Sequence, residues 1–184
     1  MCKHADQTKR IIEHLMSEVY PGLMSKIKYA LYCVYQESSN APDKLVMIDL
    51  IGDLKNEFSS LITYEKKLVF PSVLKVFLTK KENETLPNLV DLLQLTKSKE
   101  HKIMHHVKRL MNMLEKPMWN TTEQEILVKA FVNEFMLEKQ LWYQMIDDRI
   151  NTCGCFRRNY SEIERLYSKH GEESNGRHEG KISK

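Results

Sequence analysis

Large apolar side chains recur at alternating spacings of three and four residues along most of this chain. That rhythm restricts it to amphipathic helices packed on one another. Leu54, Phe58, Leu61, Glu65 and Leu68 keep the rhythm, and so do Leu127, Phe131, Glu134, Glu138, Leu141 and Met145. Both runs carry glutamates where a helical interior normally takes leucine. A carboxylate in an apolar interior is costly unless a cation, hydrogen-bond donors or a metal ion compensates it. What compensates Glu65, Glu134 and Glu138 is therefore the question that the pattern poses.

Breakers divide the pattern into four long helices. The first is expected from about Gln7 to Gln36, with a kink at Pro21-Gly22. Ser38 to Pro42 reads as a turn, with Pro42 suited to the first position of a second helix that reaches about Leu78 and bends near Pro71. A polar loop over Lys80 to Thr85 precedes a third helix, opened by Pro87 and reaching about Glu115. Thr122 and Glu125 have the spacing of a capping box, which starts the fourth. Short connections between long helices favour antiparallel neighbours, so the expected fold is all-α, an up-down-up-down four-helix bundle over residues 1–151. Residues 152–184 are expected to hold a short helix, between Arg157 and Lys169, and a disordered polar tail from Gly171 onward.

Composition narrows the function. No stretch approaches the roughly 18 uncharged apolar residues of a membrane-spanning helix, and no signal-peptide core follows the N-terminus. The net charge is +3 in 184 residues, with lysines and glutamates interleaved. With no zinc-finger spacing, no glycine-rich phosphate loop and no dense basic stripe, nucleic acid is not an expected partner. Lys97, Lys99, Lys102, Lys108 and Arg109 form one looser basic run, read as a solvated face. Four cysteines, at 2, 33, 153 and 155, do not make an extracellular disulfide framework, and a reducing cytoplasmic setting is the expectation. Cys153-Gly154-Cys155 places two thiols close enough for soft-metal or redox chemistry, although two cysteines alone leave a metal short of ligands.

The acids define a candidate metal site. On the second helix Glu65 projects toward the core, and Glu134 and Glu138, four apart, share one side of the fourth. Three carboxylates from two helices suit iron, manganese or zinc. A one-position rotation of the helices would instead leave them at the rim, paired with lysines. His14 and His101 are further candidates, His101 lying at the edge of the stripe Ile103, Val107, Leu110, Leu114; Glu100 points inward more directly on an ideal wheel. Tyr35 is either a phenol near a metal or a packing residue.

At these positions the chain resembles the hemerythrin-like superfamily, most closely the iron-sulfur cluster repair di-iron proteins, over about residues 8–150. His14 to Leu23 resembles the family's first ligand helix with its proline. Glu65-Lys66-Lys67-Leu68-Val69-Phe70-Pro71 resembles the end of its H-x-x-x-E-x-x-x-x-F-P motif, Glu134 to Glu138 the second copy, and Glu100-His101 the histidine step of the third helix. The resemblance implies iron held by His14, Glu65, His101 and Glu138, with Glu65 and Glu138 bridging. It implies iron handling, dioxygen or nitric-oxide binding, or repair of iron centres under stress. Leu61 and Glu134 stand where histidines belong, and Tyr35 about where another does. Two outcomes follow from those replacements: an oxygen-rich metal shell, or a metal-free bundle acting as an interaction or regulatory module for a protein partner.

Overall fold

The computed structural model describes residues 3–36, 42–78, 86–115 and 122–152. These form four helical rods, with no strand among the described residues. The expected turn at Ser38 to Pro42 lies outside them apart from the backbone of Pro42. The loop from Lys80, the short helix after Arg157, the polar tail, Cys2, Cys153 and Cys155 lie wholly outside. The chain divides into two compact units, Met1–Trp142 and Tyr143–Lys184. Every side chain of the polar interior discussed below belongs to the first.

Within that unit each rod packs on its neighbours in sequence, and the first also meets the fourth. The beginning of the first rod touches the end of the second, and its later part touches the beginning of the second. The pattern is compatible with a helical bundle. Leu15, Leu23, Ile27, Met47, Ile51, Leu54, Phe58, Leu61, Ile103, Leu110, Leu127 and Phe131 fill the interior at 4% exposure or less. Phe58 is the hub of an aromatic cluster. Its ring meets Tyr20 at 5.7 Å, Phe131 at 5.2 Å and Phe135 at 5.7 Å, all edge to face. Such pairs contribute about 0.5–1.5 kcal/mol each beyond the area they bury.

Three of the four rods are not regular. Each contains a short π-helical segment, at Leu15–Val19, Glu65–Val69 and Ala130–Phe135. The wide turns are closed by Tyr20 N–H to Leu15 O, Phe70 N–H to Glu65 O and Met136 N–H to Phe131 O, each reaching five residues back. The first two have a visible cause. Pro21 and Pro71 follow two residues after the segments end, and a proline ring collides with the carbonyl four residues before it in an α-helix. Widening the preceding turn relieves the collision, so the expected kinks at Pro21 and Pro71 take the form of π segments inside continuous rods. The third segment has no proline after it, and nothing in its local sequence explains it.

A π turn holds one residue more than an α turn, so everything beyond it is displaced by about 100° relative to an unbroken α wheel. The displacement is visible in the burial. In the second rod the inward series Leu54, Phe58, Leu61, Glu65 continues with Val69 and Val73, and Leu68 is 47% exposed. In the fourth it runs Leu127, Phe131, Phe135, Lys139, Trp142, while Leu141 is 46% exposed. The third rod, Leu86–Leu114, is α-helical throughout.

Candidate functional site

A polar cluster lies beside the π segments in the apolar interior. Tyr20 directly follows the first, Glu65 opens the second, and Lys139 lies one α turn beyond the third. Glu65 has no exposed surface. The Tyr20 hydroxyl donates to its Oε2 and the Lys139 ammonium to its Oε1. Lys139 is itself 2% exposed, and its Nζ lies 3.0 Å from Oε1 of Glu100 on the third rod. Two aromatic faces complete its surroundings, with Nζ 5.7 Å from the Tyr20 ring centre and 5.8 Å from that of Phe135. All four rods thus contribute to one network, and a lysine is its cation.

A buried carboxylate is tolerated when charge and hydrogen bonds both compensate it. Glu65 receives an ammonium on one oxygen and a hydroxyl on the other. Lysine supplies several donors from one point charge, so it serves Glu65 and Glu100 together. The Glu100 side chain, 13% exposed, lies between this interior and the surface.

His14 and Glu138 meet nearer the surface. His14 Nε2 is 3.5 Å from Glu138 Oε1, and His14 Nδ1 is 3.2 Å from Glu18 Oε2 one turn along the first rod. The His14 side chain is 42% exposed and that of Glu138 24%. The remaining candidates stand apart. Glu134 is exposed and pairs with Lys26 at 2.7 Å, which is the rim-and-lysine alternative for that residue. His101 is exposed, one position beyond the inward Glu100. Tyr35 is 57% exposed, one step off the buried series Leu23, Ile27, Ala30, Val34.

The arrangement does not fit the di-iron shell that the resemblance implies. Glu65, the expected bridge, has both oxygens engaged by Tyr20 and Lys139. An ammonium ion cannot ligate, and its positive charge beside Glu65 and Glu100 opposes the approach of a second cation. His14 with Glu138 and Glu65 with Lys139 are separate pairs, and His101, Glu134 and Tyr35 face outward. Among the described residues no three histidine, cysteine, aspartate or glutamate side chains are grouped so as to hold a metal ion. The α-helical rhythm of the sequence places Glu65 and Glu100 inward but leaves Lys139 off the apolar face. Its signal was available: Lys139 falls on the apolar seam once the fourth helix is advanced by one residue.

Two phenols have altered acidity. Burial, and then the charge of Asp91, pushes Tyr64 above the ordinary tyrosine value. On the first rod Cys33, and then Glu123, raises the exposed Tyr29.

No helix among the described residues is long and apolar enough to cross a membrane. No protein-family model, curated protein or solved structure matches the chain significantly.

Proposed function

We propose that this chain is a metal-independent, hemerythrin-like bundle of up-down-up-down topology that serves as an interaction or regulatory module, with Lys139 as the fixed internal cation. The observation that carries the reading is the engagement of the wholly buried Glu65 by the Lys139 ammonium, shared with Glu100. A centre already neutralised by a covalently attached cation needs no metal to be stable. It also keeps the polar group most suited to bridging two metals from doing so. Function then resides on the outer surface.

The test is metal content after anaerobic iron loading and desalting. The proposed chain retains far less than one equivalent of iron, and Glu65→Gln does not change that. Stoichiometric iron that disappears in Glu65→Gln overturns the reading. A second reading, a metal carried by His14 and Glu138, is favoured by their 3.5 Å approach. It predicts bound metal that is lost in Glu138→Ala and kept in Glu65→Gln. Under either metal reading dioxygen or nitric oxide is the expected small ligand, and under the metal-free reading a protein is.

A further inference from the structure

The π segment that begins at Glu65 turns the residues just after it outward. Lys67 and Leu68 lie within Glu65–Val69, both are exposed, and both line a groove of about 480 Å³ between the second and third rods. The other walls are Ser59, Ser60, Thr63 and Tyr64 on the second rod and Lys99 on the third. The groove is shallow and open to solvent, so a ligand there would lie along a surface rather than in an enclosed cavity. Had the second rod stayed α-helical, Leu68 would have continued the buried series and the groove would have lost that wall.

The donor inventory of the groove is unbalanced. Lys99 Nζ donates to Ser60 Oγ at 2.9 Å and stands 5.6 Å from the centre of the Tyr64 ring. Ser60 therefore accepts with its oxygen and keeps its own hydroxyl proton to donate, and Lys99 has two further N–H groups. Ser59 and Thr63 spend their protons on the carbonyls of Lys55 and Ser59. Among the described residues none of the lining groups is acidic; Asp91, which acts on the Tyr64 phenol, does not line the groove. Two lysines and a serine thus line an opening whose other walls include the exposed Leu68 and the Tyr64 ring.

We infer that this groove binds a phosphate monoester carrying an apolar or aromatic group. The phosphate oxygens take charge-assisted hydrogen bonds from Lys67, Lys99 and Ser60. The organic group lies on Leu68 and Tyr64. The inference is independent of whether any metal enters the interior, because no lining residue takes part in the Glu65–Lys139 network.

Phenyl phosphate is the probe, titrated into the isotopically labelled full chain and followed by amide chemical shifts. The expected result is saturable change confined to amides around Ser60, Tyr64, Lys67, Leu68 and Lys99. Lys67→Met and Lys99→Met each weaken it by about tenfold, the loss expected for one hydrogen bond to a charged group. Lys66→Met, exposed but outside the groove, leaves it unchanged. Phenol and inorganic phosphate, each half of the probe, bind more weakly. Inorganic phosphate binding as tightly as phenyl phosphate overturns the apolar part of the inference, and phenol binding as tightly overturns the anionic part. Shifts elsewhere on the chain, no shifts at all, or affinities unaffected by both lysine replacements overturn the site itself.

Discussion

Replacing Lys139 by methionine removes the interior cation while keeping a flexible side chain of similar length. Glu65, without exposed surface, then keeps the Tyr20 hydroxyl but loses the ammonium that offsets its charge. Removing one partner of a buried ion pair typically costs about 3–5 kcal/mol, because the other charge is left uncompensated. With a urea slope near 2 kcal/mol/M, the unfolding midpoint falls by about 2 M. The reverse change, Glu65→Gln, costs less, since Lys139 still has Glu100 at 3.0 Å. Combining the two removes the stranded charge, so Lys139→Met/Glu65→Gln is more stable than the sum of the single losses predicts, by about 2 kcal/mol or more. Urea titration followed by far-UV circular dichroism gives all four values of the cycle. A loss below about 1 kcal/mol in Lys139→Met, or strict additivity in the double variant, would refute the assignment of Lys139 as the compensating cation.

Other outcomes test the neighbouring contacts. Tyr20→Phe deletes the hydroxyl bonded to Glu65 and costs about 1.5–3 kcal/mol by the same titration, whereas Tyr35→Phe on the exposed face stays within about 0.5 kcal/mol. Lys26→Met breaks a pair whose side chains are 34% and 55% exposed, so it changes stability by about 1 kcal/mol at most, and the change shrinks further in high salt. Tyr64 holds its proton more tightly folded than unfolded, so its contribution is complete below its ordinary value of 10.0 and is lost as pH rises through the higher folded value. Thermal unfolding at rising alkaline pH should show a smaller decline in Tyr64→Phe; an identical decline would mean that other groups dominate.

The four helices were legible because caps, prolines and apolar spacing act locally. Glu65 was legible for a related reason: it lies at the start of its π segment, so every inward residue before it obeys the α wheel. Leu68, Glu134, Glu138 and Leu141 lie within or beyond such segments, where the wheel is one residue out of step. Periodicity contains no term for a widened turn, and only the two proline-linked segments leave a mark in the sequence. Lys139 was hidden twice, by that displacement and by its residue type, since lysine is almost never fully buried without a partner. That partner, Glu65, stands 74 positions away.

The wide turn at Ala130–Phe135 amounts to one spare residue between Leu127 and Trp142, both of them buried. Excising Asn133, which is exposed, would let the turn relax to ordinary α geometry while Phe135 and Lys139 keep their facing. Excising Lys108, also exposed but set in the unbroken third rod, would swing the residues after it away from their partners. Tolerance of a lost codon should therefore be concentrated at this turn, and comparing the cooperativity of unfolding of the two deletants would expose any error in that expectation.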